Sequence, residues 1–187
     1  MQLVEQKTVY QGWGRFLLLT VRTDGGALVT RQLEDHGHAS CVLAYDPARR
    51  VALMARLARA GPMFNGEPPR LLEACAGLID PGETPEVCAR REALEELGVR
   101  LTDLEPVSRS YTTPGVCSET IALYLAPYAA TDRIGAGGGL AAESEEIEVL
   151  ELPLAELARQ SDAGEVRDLK TLVLILALRL RRPGLFV

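Results

Sequence analysis

The stretch that decides the fold reads Gly77-Leu78-Ile79-Asp80-Pro81-Gly82-Glu83 and, after seven intervening residues, Arg91-Glu92-Ala93-Leu94-Glu95-Glu96-Leu97-Gly98-Val99. A helix from about Pro85 to Leu97 is predicted within it. Thr84 is a good N-cap, proline suits the first helical position, and Gly98 suits a left-handed C-cap. The stretch therefore reads as a loop that leads into a helix of about three and a half turns.

The acidic residues of this helix form a pattern of their own. At about 100° per residue, Glu92, Glu95 and Glu96 share one narrow face. The opposite side carries apolar residues, so we expect that side to pack and the carboxylates to point away from the core. The apolar side consists of Val87, Leu94 and Leu97.

Carboxylates at this spacing predict a metal site. Glu92 and Glu96 are four residues apart, so they are neighbours that repel each other unless a cation lies between them. Oxygen ligands without histidine or thiolate suit a hard ion, Mg²⁺ or Mn²⁺, which also binds substrate phosphates directly. Arg91 is expected to pair with Glu83 or Glu95 and to orient that carboxylate. The alternative is a solvated acidic face with intrahelical ion pairs, but the register of the flanking glycines argues against it.

Composition limits the classes of function. The 187 residues suffice for one domain with a small appendage, and the net charge of −6 argues against nucleic-acid wrapping. There is no N-terminal apolar signal region, and the apolar runs are too short to span a bilayer, so we expect a cytoplasmic protein.

The cysteines and histidines are weaker signals. Four cysteines without CxxC spacing read as reduced, mostly buried thiols, with a zinc or disulfide role as the less favoured alternative. His36 and His38 flank Gly37, and a solvated loop is favoured over a metal-binding pair.

The order of elements predicts an α+β fold, an α/β/α sandwich with a mixed sheet. Residues 1–38 read as short strands with a turn at residues 23–26, and residues 60–70 as a loop. A closing helix is expected at 168–182, packed through Leu169, Leu172, Val173, Leu176 and Leu180. We expect two parts: an N-terminal β element at 1–38 and a catalytic domain at 39–187. The β element is a candidate for domain swapping between the two subunits of a dimer.

The 77–99 pattern resembles the signature of the Nudix hydrolases, which cut a diphosphate linkage in nucleotide derivatives with the help of divalent metal. The chain is similar to the ADP-ribose pyrophosphatase branch and, more narrowly, to its GDP-mannose pyrophosphatase group. The residues that carry this narrower likeness are Leu72–Asp80, Thr113-Pro114-Gly115 with Glu119, Ala136–Gly139, Glu145–Pro153, and Gly164–Asp168 with Lys170-Thr171.

The resemblance implies roles for particular residues. The metal set would be the Ala76 carbonyl with Glu92, Glu96 and Glu145, supported by Arg91 and Glu95. Either Glu145 or Glu146, on a mobile loop, would deprotonate the attacking water. The implied substrate contacts are Arg59, Ala76, Gly77, Leu78, Glu96, Glu119, Ser144, Glu145 and Lys170, with Trp13 on the nucleobase and Arg31 from the second subunit of a homodimer.

Three positions depart from the group's pattern: Ala58 replaces an aromatic between two arginines, Thr113 replaces a serine, and Ser144 stands where an acid is common. The expected function is Mg²⁺-dependent hydrolysis of a nucleoside diphosphate sugar, GDP-mannose-like, to a nucleoside monophosphate and a sugar 1-phosphate. The alternatives are ADP-ribose as substrate and, from another class, a nucleotide-sugar sensing module without catalysis.

Overall fold

A computed structural model of the chain describes residues 1–140 and 146–187. The chain divides into two compact units. The first combines Met1–Ala39 with Arg109–Ile121, and the second combines Ser40–Ser108 with Ala122–Val187. Among the residues described, no helix is both long and apolar enough to cross a lipid bilayer.

The first unit is built on a three-stranded antiparallel sheet in the order β1-β2-β3. Its strands are β1 (Gln2–Gln11), β2 (Arg15–Arg22) and β3 (Leu28–Asp35). The turn between β2 and β3 is closed by the Gly26 N–H, which donates to the Thr23 carbonyl at 2.9 Å. Gly26 has φ 84°, a conformation that glycine adopts without strain. The predicted strands and turn of residues 1–38 are thus confirmed.

A second sheet of seven strands forms the centre of the fold. Its main order is β10-β5-β4-β9-β8, with β6 paired to β5 and β7 paired to β4. The strands are β4 (Ala39–Asp46), β5 (Val51–Ala58), β6 (Arg70–Glu73), β7 (Cys75–Leu78), β8 (Glu105–Tyr111), β9 (Thr120–Pro127) and β10 (Glu148–Pro153). Residues 70–78 form two strands and not one, because the chain leaves β5 after Glu73 and pairs with β4 from Cys75.

Within the described residues, four α-helices accompany this sheet: α1 (Ala60–Phe64), α2 (Pro85–Leu97), α3 (Leu154–Asp162) and α4 (Leu169–Arg181). Short 3₁₀ turns lie at Ala130–Asp132 and Pro183–Phe186. The bounds predicted for α2 are confirmed. The prediction that 60–70 is entirely loop is wrong, because residues 60–64 form the single turn of α1.

The helix α2 packs with a different face from the one predicted. Val87 and Leu94 are 51 % and 44 % exposed, whereas Glu96 is only 3 % exposed. Leu97 is buried as predicted, together with Glu96 and with small residues that let the helix lie close to the sheet; these small residues are Cys88, Ala89 and Ala93. The prediction that the carboxylates point away from the core is therefore wrong, because side-chain size, rather than apolar character, selects the face that packs.

The packing face predicted for α4 is also wrong. Three of the five positions predicted to pack are exposed: Leu169, Leu176 and Leu180, at 66 %, 45 % and 84 %. The buried residues are instead Thr171, Leu174, Ile175 and Leu178. Because the helix is apolar on almost every side, its hydrophobic period alone does not identify the buried face.

Both faces of the central sheet are covered. One face forms a core with α2, in which Val42, Ala44 and Leu53 meet Ala93 and Leu97. Every residue of β4 is buried, so the side chains on its other face are covered as well. Fully buried leucines of α3 and α4 supply that second layer. The α/β/α sandwich with a mixed sheet is thus confirmed.

Candidate active site

The ends of α2 are fixed by the residues that the sequence pattern identifies. The Thr84 side chain accepts a hydrogen bond from the Val87 N–H at 3.3 Å. Gly98 adopts the left-handed conformation with φ 67°. These caps hold the helix in register, so its carboxylates have defined positions along the side that faces β7.

Arg91 is the centre of the acidic group. Its guanidinium makes a two-pronged contact with Glu83, from Nε to Oε1 at 2.9 Å and from Nη2 to Oε2 at 3.0 Å. Its Nη1 donates to Glu92 at 2.7 Å and to Glu95 at 3.1 Å. The predicted choice between Glu83 and Glu95 is resolved, because Arg91 contacts both of them. These bonds hold the pKa of the Glu83 carboxyl below its ordinary value.

Glu92 and Glu96 lie directly against β7. The Ala76 N–H donates to Glu96 Oε2 at 3.2 Å. A Cβ placed on Gly77 would come within 1.7 Å of Glu92 Oε1. Glycine at position 77 is therefore required by the close approach of the carboxylate to the strand. Leu78 contributes its carbonyl, which accepts from Arg91 Nη2 at 3.1 Å.

The glycine run near residue 137 closes over the end of α2. The Gly138 N–H donates to the Glu96 carbonyl at 2.8 Å, and the Gly139 N–H donates to the Glu95 carbonyl at 3.2 Å. A Cβ on Gly137 would lie 2.3 Å from the Glu96 carbonyl oxygen. These glycines therefore satisfy the last carbonyls of the helix, and there is no room for a side chain at position 137.

A second charged group forms around Glu73, which is 2 % exposed. Arg59 donates to it twice, from Nε at 2.8 Å and from Nη2 at 2.9 Å. Lys170 contacts the same carboxylate and also reaches Asp168 at 2.8 Å. Burial by itself would raise the pKa of Glu73, but the two cations outweigh it and hold that pKa below its ordinary value.

Hydrogen bonds tie α4 to the strands. Asp168 is the N-cap of α4 and accepts from the Thr171 N–H at 3.0 Å. The Ala74 N–H donates to the Thr171 hydroxyl at 2.6 Å. Sequence reasoning proposed Arg59 and Lys170 but missed Glu73, Asp168 and Thr171 as the residues that position them. The sequence did contain a signal for these three residues, because all of them lie in segments that carried the family resemblance.

The remaining described candidates have local partners of their own. Trp13 is 79 % exposed and its ring stacks on His36, with centroids 5.0 Å apart. Arg31 donates to the Thr30 carbonyl at 3.1 Å, and Glu119 lies 3.2 Å from His36 Nε2. The prediction of a solvated His36 is wrong, since only 14 % of its side chain is exposed.

The acidic segment before β10 is described only in part. Glu146 has a side chain 89 % exposed and lies 3.6 Å from Arg70 Nη2. Ser144 and Glu145, candidates for substrate and metal contact, lie outside the described residues.

The thiols near α2 do not compete with oxygen as ligands. All four cysteines are free and buried, as predicted. Burial raises the pKa of Cys88 to about 12, and it raises the pKa of Cys75 well above its ordinary value. Neutral thiols leave carboxylate and carbonyl oxygens as the donors on this side of α2, a set that suits hard divalent cations.

Comparisons with known proteins agree on one family. The NUDIX domain family matches residues 34–172 of the chain. A protein of Cronobacter sakazakii named GDP-mannose pyrophosphatase is 43 % identical over 152 residues, which cover 81 % of this chain and 78 % of that protein. A protein of Escherichia coli K12 with the same name is 38 % identical over 146 residues, which cover 78 % and 75 %.

Among solved structures, an ADP compounds hydrolase superposes with a TM-score of 0.77 at 18 % identity, covering 98 % of this chain and 94 % of that one. At this identity the likeness concerns the fold alone.

Proposed function

The chain belongs to the NUDIX family and is a Nudix hydrolase, and on that premise we propose that it hydrolyses nucleoside diphosphate sugars such as GDP-mannose. The products would be a nucleoside monophosphate and a sugar 1-phosphate. The observation that carries the proposal is that Glu92 and Glu96 lie against Ala76 and Gly77 of β7, where the Ala76 N–H donates to Glu96. The Ala76 carbonyl is proposed as a third oxygen donor beside these two carboxylates. The names of the relatives at 43 % and 38 % identity support the substrate class.

Nudix hydrolases generally use divalent metals, and we propose Mg²⁺, with Mn²⁺ as a substitute. Glu92, Glu96, the Ala76 carbonyl and Glu145 would hold the ions. These oxygen donors fit a divalent metal, and the absence of a side chain at Gly77 leaves room for the Glu92 carboxylate beside the strand. When bound, such ions neutralise phosphate charge and lower the pKa of a bound water.

The chain's own residues then orient the reactants. Arg91 fixes the directions of Glu92 and Glu95 through its Nη1. A carboxylate on the segment before β10, Glu145 or Glu146, would take the proton of the attacking water. The described one, Glu146, is highly exposed and therefore able to approach a substrate that has already bound.

Arg59 and Lys170 are proposed to contact the substrate diphosphate. Arg59 uses Nε and Nη2 for Glu73, so Nη1 is the donor that it could offer to a phosphate oxygen. The buried Glu73 contacts both cations and the half-buried Asp168 contacts Lys170, so both cations are held in place before substrate arrives. Preorganised cations of this kind stabilise charge without a reorganisation cost at the moment of reaction.

Residues of the first unit complete the proposal. We propose a homodimer in which residues 1–38 act as a β element beside the catalytic domain 39–187, with Trp13 on the nucleobase and Arg31 from the second subunit. Glu119 and Ser144 remain proposed substrate contacts. All ten residues of β1 are exposed, including Leu3, Val4 and Val9, so a partner subunit would cover apolar surface there.

A cytoplasmic location is proposed too, in line with four free thiols.

The test is a substrate panel with products identified by mass. GDP-mannose and ADP-ribose would each be incubated with the protein, with Mg²⁺ and with excess chelator. We expect GMP and mannose 1-phosphate from GDP-mannose only when Mg²⁺ is present. Preference for ADP-ribose would replace the substrate but keep the chemistry, whereas no product from a wide panel, together with tight nucleotide-sugar binding, would favour a sensing module.

A further inference from the structure

A second group of ligand-type side chains lies wholly within the first unit. It consists of Glu34, His36 and Cys117, and we refer to it as the Glu34–His36–Cys117 cluster. One ligand atom from each residue lies within 4.8 Å of the other two. His36 Nδ1 is 2.7 Å from Glu34 Oε2, and Cys117 Sγ is 3.2 Å from the same oxygen. An oxygen, a nitrogen and a sulfur therefore converge on one point.

The backbone holds these residues together independently of their side chains. Glu34 and Cys117 form an isolated parallel β-bridge. The Glu34 N–H donates to the Val116 carbonyl at 2.8 Å, and the Ser118 N–H donates to the Glu34 carbonyl at 3.0 Å. The two chain segments are thus fixed on both sides of the cluster, so its geometry does not depend on the attraction between the three side chains.

A surrounding layer of contacts orients the nitrogen and sulfur donors. His36 Nε2 lies 3.2 Å from Glu119 Oε1. The Glu34 carboxylate can only accept, so His36 Nδ1 carries the proton of their 2.7 Å contact in the metal-free protein. Once that proton leaves, Glu119 keeps the Nε2 proton in place, and the Nδ1 lone pair becomes the donor that a metal needs. Burial raises the pKa of the Cys117 thiol, and the Glu119 N–H, which donates to Cys117 Sγ at 3.4 Å, opposes that rise. A bound divalent cation would supply the further stabilisation that a thiolate needs. The Trp13 ring covers one face of the imidazole.

The spacing of the donors fits an ion after a small expansion. Bond lengths of about 2.0–2.3 Å from a tetrahedral zinc ion place neighbouring ligand atoms about 3.4–3.6 Å apart. The present separations of 2.7 and 3.2 Å would have to open by about half an ångström. The Glu34 side chain is 40 % exposed, so it can move and leave a fourth position open to water.

We propose that the Glu34–His36–Cys117 cluster is a binding site for a borderline divalent transition metal, with Zn²⁺ as the favoured ion. Thiolate and imidazole together select zinc or cobalt over magnesium, because Mg²⁺ prefers oxygen ligands in an octahedral arrangement. Binding would release the Cys117 thiol proton and the His36 Nδ1 proton to solvent, and bonds to the metal would replace the hydrogen bonds that both residues make to Glu34. The site would differ in metal class from the oxygen donors of α2.

The competing explanation is a hydrogen-bonded network that never takes a metal. In that case the Cys117 thiol simply donates to Glu34, and His36 bridges Glu34 and Glu119. Cobalt separates the two explanations, because a Co²⁺–thiolate bond produces a charge-transfer absorption in the near ultraviolet that an oxygen site cannot produce.

The experiment titrates Co²⁺ into the chelator-treated full chain in the presence of excess Mg²⁺. We expect a thiolate–cobalt band that saturates at one equivalent per chain and is abolished by addition of Zn²⁺. The band should disappear in Cys117→Ser and in His36→Gln. It should persist in two matched controls, His38→Gln, which changes the other histidine, and Cys88→Ser, which changes the thiol beside the α2 carboxylates.

Glu119→Gln provides a graded readout that does not depend on removing a ligand. The loss of its contact with His36 should weaken Co²⁺ binding by about 10–100-fold while the band keeps its shape. The proposal fails if wild-type protein shows no band, or if the band survives in Cys117→Ser and vanishes in Cys88→Ser. Circular dichroism of each variant separates loss of the metal from loss of the fold. None of these outcomes bears on nucleotide-sugar hydrolysis.

Discussion

The chain carries two clusters of ligand-type side chains that are assembled in opposite ways. The acidic group of α2 draws Glu92, Glu95 and Glu96 from adjacent turns of one helix, and all its side-chain donors are oxygens. The Glu34–His36–Cys117 cluster joins residues 83 positions apart and mixes oxygen, nitrogen and sulfur. The helix makes its cluster visible in the sequence, whereas the other cluster exists only because two segments pair through their backbones.

The two clusters also differ in how their charge is balanced. In the α2 group a permanent cation, Arg91, contacts three carboxylates. In the other cluster the central group is a histidine between Glu34 and Glu119, and its charge depends on pH. Arg91 holds the pKa of Glu83 below its ordinary value, whereas Glu34 and Glu119 hold the pKa of His36 above its ordinary value despite burial.

The largest expected effect tests the α2 group directly. Glu96→Gln keeps the shape of the side chain but removes the charge proposed to hold metal. We expect kcat for GDP-mannose to fall by about 10³-fold, since charge stabilisation of several kcal/mol would be lost. Glu86→Gln is the matched control, because it makes the same change at an exposed position of the same helix and should retain activity. Normal turnover by Glu96→Gln would remove Glu96 from the metal set.

Gly77→Ala tests the close approach of strand and carboxylate. The new Cβ would overlap the Glu92 carboxylate, so the side chain must move. A displacement of about 1 Å in a positioned group can lower kcat by about 10²-fold. Gly61→Ala is the control, because a Cβ at position 61 meets nothing within 4 Å. Equal activity of the two variants in the GDP-mannose assay would show that this contact does not position Glu92.

Arg91→Lys tests whether the planar guanidinium, and not the positive charge alone, orients the carboxylates around it. Lysine keeps the charge but cannot bridge Glu83, Glu92 and Glu95 with a planar fork. We expect kcat to fall by about 10–100-fold, as for loss of other groups that orient metal ligands. Arg90→Lys, one residue away, changes a side chain that donates to the carbonyls of Glu86 and Thr102, and it should leave kcat unchanged. A similar loss in both variants would point to a general effect on the helix.

The smallest effects concern stability and pH, and they should have opposite signs in the two clusters. Arg91 lowers the folded-state pKa of Glu83 below its ordinary 4.5. That contribution to stability is present above pH 4.5 and is lost as pH falls through the folded-state pKa. Urea unfolding of metal-free wild type and Glu83→Gln should therefore differ at neutral pH and converge in acid. A difference that grows in acid would contradict this sign.

His36 should behave in the reverse direction. Burial lowers the pKa of His36, but the bonds to Glu34 and Glu119 outweigh burial and raise it above its ordinary 6.5. Its contribution is fully present below pH 6.5 and is lost as pH rises through the folded-state pKa. Metal-free wild type and His36→Gln should thus differ most below pH 6.5 in urea unfolding. A gap that widens above neutrality would show that the ion pairs do not govern this histidine.

Sequence reasoning succeeded where the determining residues are close along the chain. Thr84, Pro85 and Gly98 predicted both ends of α2, because capping depends on backbone groups within one turn. The same reasoning chose the wrong packing face for α2, since Val87 and Leu94 are apolar yet exposed. Close packing against the sheet favoured small residues there, and no local pattern reports how near two elements will lie.

The sequence by itself determined the helix, the order of its acidic residues and the family that this order identifies. The tertiary structure decided which distant side chains contact each other: Glu73 with Lys170, 97 residues away, and Glu34 with Cys117. The physical reason is that periodicity and capping describe neighbours along one chain segment. Contacts between segments depend on strand register and on packing distance, and these are set only when the whole sheet has formed.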